Sequence, residues 1–289
     1  MPRKLKASAG ETALLKARAI MAWRDAYYPD ASESDGPWLE HLTPQDMQSP
    51  PDGDVLNFAG LGLTKLPEEL GDADSVGFLF LQSNQLESID ASLLSGMGLT
   101  SLCLSGNPLK QVPEALFHIE SLLDLYLNDT PLQTLPVPTA DVPHFATLNL
   151  ADNPRLTLPP GFLPRFTQLK ALILDGYAAA DFPRDVLALT RLKQLSLERT
   201  RFCQLPADIA RLTDLRQLAL DDAQITTLPK SIATMLSLAG PAAKLNFMGL
   251  RLAKTPFVDK ELKKIAKLKN PARTLEAMAW AAAHGADGA

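Results

Sequence analysis

The side chains best suited to chemistry in this 289-residue chain are two cysteines and four histidines. His41, His118, His144 and His284 stand far apart, and no HExxH run, GxSxG run or metal-ligand pairing surrounds them. Gly60-Leu61-Gly62 and Gly96-Met97-Gly98 lack the long helix that a phosphate loop requires. No enzyme chemistry, cofactor or metal is therefore expected. A formal net charge of −5 argues against a nucleic-acid partner, which leaves a basic footprint. No apolar run approaches the roughly 18 residues needed to span a bilayer. The basic start, MPRKLK, leads into a segment interrupted by Lys16, Arg18 and Arg24, a poor secretory signal. The expectation is a cytoplasmic monomer without membrane insertion.

What positions these residues is a repeat. LNFAGLGLTKLP, starting at Leu56, recurs as LNFMGLRLAKTP, starting at Leu245, with eight of twelve positions identical. Between the copies, Leu66, Ile89, Val112, Leu135, Leu158, Phe182, Leu205, Leu228 and Thr255 recur at steps of 23, 23, 23, 23, 24, 23, 23 and 27 residues. Nine repeats of this period indicate a solenoid rather than a globular core. With those residues numbered position 14, positions 1, 4, 6 and 11 are apolar almost throughout. Positions 4 and 6 alternate with 3, 5 and 7, the pattern of a short strand with one face buried. The segments PEALFHIESL, PRDVLALTRL, PADIARLTDL and PKSIATMLSL start with Pro and have i, i+3 apolar spacing. They predict a helical turn or short helix on the opposite side.

LTSLCLSGNPLKQVPEAL, Leu99 to Leu116, resembles a leucine-rich repeat of the 23-residue intracellular and bacterial type, LxxLxLxxNxLxxLPxxL. The resemblance covers Gly53 to Pro256. It implies an α/β fold: a right-handed horseshoe solenoid with a concave parallel sheet and helical caps at both ends. The family's position-9 Asn, which bonds the turn backbone, is present as Asn84, Asn107 and Asn153. Leu61, Thr130, Tyr177, Thr200, Ala223 and Leu250 replace it elsewhere, so irregular turns are expected there. Leu61 and Leu250, each after a Gly, mark both end repeats as atypical.

The expected division is a helical cap and linker over 1–52, nine repeats over 53–256 and a helical cap over 257–289. Thr12 to Tyr28 reads as an amphipathic helix. Asp259 can cap KELKKIAKLK, and Asn270-Pro271 precedes a second helix. Lys260, Lys263, Lys264, Lys267 and Lys269 would suit a basic face toward a membrane or acidic partner; the shortness of the helix favours capping.

In this frame Cys103 lies at position 5 and Cys203 at position 12, four repeats apart. At about 4.8 Å per strand they are roughly 19 Å apart, beyond disulfide reach. Free thiols fit a reducing compartment. Phe80, Tyr126, Ser101 and Asp124 surround Cys103 with no cation, a setting that raises a thiol pKa.

By family analogy the concave face binds a protein. Its first half is expected to expose Val55, Phe78, Phe80 and Tyr126, with Cys103 and Asp124 beside them. A fold of the N-terminal flank over this patch is the alternative. The second half carries acids at positions 7 and 8: Asp129, Asp152, Asp175, Glu198, Asp221 and Asp222, relieved only by Arg199. Lys170, Lys193 and Arg216 form a basic stripe at position 2, about 16 Å away along the strands. That exceeds the Debye length of about 8 Å at physiological salt. The expected function is a non-enzymatic protein-binding scaffold. The alternatives are a bacterial effector delivered to a host cell, or an accessory subunit of an enzyme such as a ubiquitin ligase.

Overall fold

In the computed structural model the described residues are 54–60, 62–66, 70, 76–240 and 248–286. The N-terminal cap expected over 1–52 lies outside them. Nine short strands form one parallel sheet in chain order: β1 Asp54–Asn57, β2 Val76–Phe80, β3 Ser101–Cys103, β4 Asp124–Tyr126, β5 Thr147–Asn149, β6 Ala171–Ile173, β7 Gln194–Ser196, β8 Gln217–Ala219 and β9 Gly249–Arg251. Each strand is short because only three to five residues alternate before the chain turns. The position-4 leucines from Leu79 to Leu250 are completely buried, as are Leu81, Leu104, Leu127, Leu174, Leu197, Leu220 and Leu252 at position 6. One leucine-filled core therefore runs the length of the coil behind the sheet.

The convex segments are 3-10 turns of three to five residues. Glu114–His118, Arg184–Ala188, Ala207–Arg211 and Lys230–Thr234 each follow a proline in extended conformation. That proline has no N–H to satisfy and its fixed φ aims the turn. Midway, Phe117, Phe145, Phe162 and Phe166 are fully buried. Their rings meet at centroid distances of 4.9 to 6.1 Å, mostly edge to face.

The turns after the strands are regular, contrary to the expectation from the scattered Asn. Position 8 is left-handed in all nine repeats: Gly60, Ser83, Gly106, Asp129, Asp152, Gly176, Arg199, Asp222 and Lys254 have φ between 53° and 69°. At each of the eight junctions its N–H donates to the position-7 carbonyl of the next repeat, at 2.7 to 3.0 Å. Where Asn is present it adds a second link. Asn107 donates to the Leu104 carbonyl and, across the junction, to that of Leu81, and accepts from the Leu86 N–H. Thr130 and Thr200 donate to the carbonyl three residues earlier. The turn persists because the backbone ladder and the left-handed residue are constant, whichever side chain follows.

The ninth repeat departs from its expected register. β9 pairs Gln217 with Gly249, Leu218 with Leu250 and Ala219 with Arg251. Leu250 is therefore at position 4, not position 9, and Thr255 takes the position-9 role by donating to the Leu220 carbonyl. The step from Leu218 to Leu250 is 32 residues, against 23 or 24 in the earlier repeats. The extra length includes the 3-10 turn Leu236–Ala239. The two similar dodecapeptides are thus not structurally equivalent.

Two helices follow, α1 Lys260–Ile265 and α2 Ala272–His284. Asp259 caps α1 by accepting from the Leu262 N–H at 2.8 Å, as its position predicts. From α2, buried Thr274 accepts the Leu250 N–H at 2.9 Å, and Arg273 Nε donates to the Leu250 carbonyl at 2.9 Å. Gly249, at φ +80°, is required here, because a Cβ would lie 2.5 Å from the Thr274 hydroxyl.

Candidate functional site

The concave face is built from positions 3, 5, 7 and 8. Its centre is closed. At position 5, Phe80 and Cys103 are each 6% exposed, Ile173 5%, and Asn149 and Ala219 completely buried. At position 3, Ser101, Thr147, Ala171 and Gln217 are also buried. Ala151, Ala171 and Ile173 form a small apolar cluster separate from the main core. The open aromatic patch expected in the first half is therefore corrected. Phe78 and Tyr126 are half-buried, Phe80 is buried, and the Val55 side chain lies outside the described residues. The physical reason is spacing: side chains on adjacent strands stand about 4.8 Å apart, so large rings in one column cover each other and smaller neighbours. A fold of 1–52 over this face also lies outside the described residues.

The ladder brings together the residues expected around Cys103, with Phe80 on one side and Tyr126 on the other. Both cysteines are free thiols. The Cys103 sulfur lies 3.5 Å from the Ser105 hydroxyl. Burial raises the Tyr126 phenol above its ordinary value, with Asp124 adding to the shift. Burial likewise raises the Asp124 carboxyl.

The acidic residues fall on one edge, at the C-terminal ends of β4 to β8, and two arginines bridge Asp152, Glu198 and Asp221. Arg199 holds Asp152 at 2.9 and 3.0 Å through one nitrogen. Its other terminal nitrogen lies 3.7 Å from Glu198. Arg251 then reaches Glu198 at 3.0 Å and Asp221 at 2.8 Å. Asp221 uses its second oxygen to accept the Ala253 N–H. Asp175, buried beneath, accepts from the Ser196 hydroxyl and the Glu198 N–H. Asp129, Asp152 and Asp222 remain exposed.

Burial, reinforced by Asp175, pushes the Glu198 carboxyl up to about 7 despite its two arginine neighbours. Burial also raises Asp175, whereas the bond to Asp152 raises Arg199. Arg251 is the residue that sequence reasoning missed. Placing Leu250 at position 9 hid it; the spacing Leu250, Leu252, Thr255, matching Leu195, Leu197, Thr200, was the available signal. Among the described residues no group of His, Cys, Asp and Glu could hold a metal ion. No helix among them is long and apolar enough to cross a membrane.

No protein-family model matches the chain, and no curated protein does. Solved structures match it well. A leucine-rich-repeat protein of Leptospira interrogans is 21% identical, with a TM-score of 0.57 over 77% of this chain and 60% of that one. A chain of the Toll–Spatzle complex of Drosophila is 25% identical, with a TM-score of 0.55 over 68% of this chain and 26% of that one. Human 5T4 is 24% identical, with a TM-score of 0.52 over 69% of this chain and 76% of that one. This chain thus spans less than two thirds of each of the first two. Its fold is that of a leucine-rich-repeat solenoid.

Proposed function

We propose that the chain is a non-enzymatic scaffold that holds a protein partner along the acidic edge of the concave face. The observation that carries this reading is the contrast in accessibility. The central columns are buried or half-buried, while Asp129, Asp152 and Asp222 stand exposed at the same position of three repeats. Phe78, Asp124 and Tyr126 are half-buried on the strands themselves, at positions 3 and 5. The Toll–Spatzle structure, a complex of a protein with the same fold, supports a protein ligand. The chemistry favours a basic partner surface, since Asp152, Glu198 and Asp221 outnumber the arginines that bridge them.

The test uses a partner captured from native lysate. Asp129→Lys with Asp222→Lys keeps the left-handed turns intact, because Arg199 and Lys254 already occupy that position in other repeats. The double variant should slow association by about tenfold at low salt and lose that defect at high salt, read by surface plasmon resonance. Identical association rates at both salt concentrations would place the partner elsewhere.

A further inference from the structure

Arg199 and Arg251 on the concave edge are all paired with carboxylates. The opposite holds at the C-terminal end of the coil. There an open cleft of about 720 Å³ is lined by Lys254, Lys263, Lys267, Lys269 and Arg273. None of these five makes an ion pair with any described residue. Among the described residues no Asp or Glu lines the cleft. In a chain of net charge −5, five cations around one cavity, with Asp221 acting on Arg273 from a distance, repel each other and leave a positive field.

The five do not belong to one solvated helix face. Lys254 comes from the turn after β9, Lys263 from α1, Lys267 and Lys269 from the connection between the helices, and Arg273 from α2. Only Lys263 has a local explanation, as a cation in the last turn of α1, where the helix dipole favours it. Lys260 and Lys264 line a different cleft together with Glu261 and Glu276, so that face compensates itself. Arg273 is anchored through Nε to the Leu250 carbonyl, and burial holds its guanidinium below the ordinary value. A partly desolvated, oriented guanidinium among lysine ammonium groups is the arrangement that suits tetrahedral oxyanions. The cleft volume lies in the range of small-molecule sites.

We propose that this cleft binds a multiply charged phosphate-type anion, either a free polyphosphate compound or the phosphorylated headgroup of a lipid. Thr255 and Asn270, also lining it, supply no negative charge. The cleft adjoins the acidic edge, since the Asp222 N–H donates to the Ala253 carbonyl at its rim, but its cations are different residues and either proposal could fail without the other.

The test titrates the full chain with tripolyphosphate, following heat release and melting temperature, with sulfate as the weakly charged comparison. Saturable binding and a higher melting temperature are expected. Lys263→Glu with Lys267→Glu should weaken binding by about tenfold or more. Lys254→Ser with Lys269→Ser should do so with less perturbation, while Lys264→Glu on the compensated face should change little. Circular dichroism checks the fold of each. Absence of a tripolyphosphate effect overturns the proposal, as does an equal loss in Lys264→Glu. Phosphatidylcholine vesicles doped with phosphatidylinositol bisphosphate separate the two sources. Sedimentation that tripolyphosphate competes away assigns the headgroup; tripolyphosphate binding without sedimentation assigns a soluble anion. Sedimentation indifferent to both tripolyphosphate and the lysine variants would overturn the site.

Discussion

In the third repeat, Asn107 ties three backbone groups together across two coils; in the seventh, Thr200 bonds one carbonyl of its own coil. Yet φ at position 8 is 65° in one and 55° in the other, and the junction bond is 3.0 Å in both. The early and late halves thus reach the same turn with unequal side-chain support. The late half adds its own cross-links at the concave edge instead, where Arg199 spans from repeat seven to Asp152 in repeat five, and Arg251 ties Glu198 to Asp221. The difference teaches that the backbone geometry of this coil is set by the ladder and the left-handed residue. The side chains decide where along the coil stability depends on buried amides and where on charge.

The largest expected effect probes that split directly. Asn107→Ala leaves the Leu104 carbonyl and the Leu86 N–H without the side-chain partner and takes from the Leu81 carbonyl one of its two amide donors, the other being Asn84, and should cost about 3 kcal/mol in urea unfolding. Thr200→Val removes one bond and should cost about 1 kcal/mol. Equal losses would erase the distinction between the halves.

A second measurement isolates the charged half. Glu198 is raised from its usual 4.5 to about 7, so the folded state holds this proton more tightly than the unfolded chain does. Its contribution is fully present below pH 4.5 and is lost as pH rises through about 7. Glu198→Gln should flatten that part of the stability-versus-pH curve measured by denaturant titration. A decline of unchanged depth in the variant would assign the effect to Asp175, also raised by burial.

The smallest effect should be the same in both halves. Ser83→Gly and Asp222→Gly relieve a left-handed backbone at φ 57° in each case and should each stabilise by up to about 1 kcal/mol. Unequal values would mean that the turns differ after all.

Much of this was legible in sequence. The leucines at positions 4 and 6 located the strands of the first eight repeats, and the acids at positions 7 and 8 marked the charged edge. Two features were hidden. The resemblance between the stretches at Leu56 and Leu245 drew the last strand five residues too early, because local identity outweighed the spacing of Leu250, Leu252 and Thr255. Strand alternation shows which side chains leave the core face but not whether the other face is open. The burial of Phe80 and Cys103 therefore had no periodic signal.

The contact between Thr274 and Leu250 also bears on how such a coil changes length. A parallel sheet can in principle accept another strand at its rim, and here the amide and carbonyl of Leu250 are already occupied by side chains of the helix behind it. Lengthening past this point would break both bonds and meet the helix itself. Insertion or loss of whole 23-residue modules between β2 and β8 meets no such obstacle, since every junction there repeats the same backbone bond. The coil is thus built as a cassette with a fixed stop: its backbone bonding lets the interior be resized module by module, whereas the terminal rim is closed.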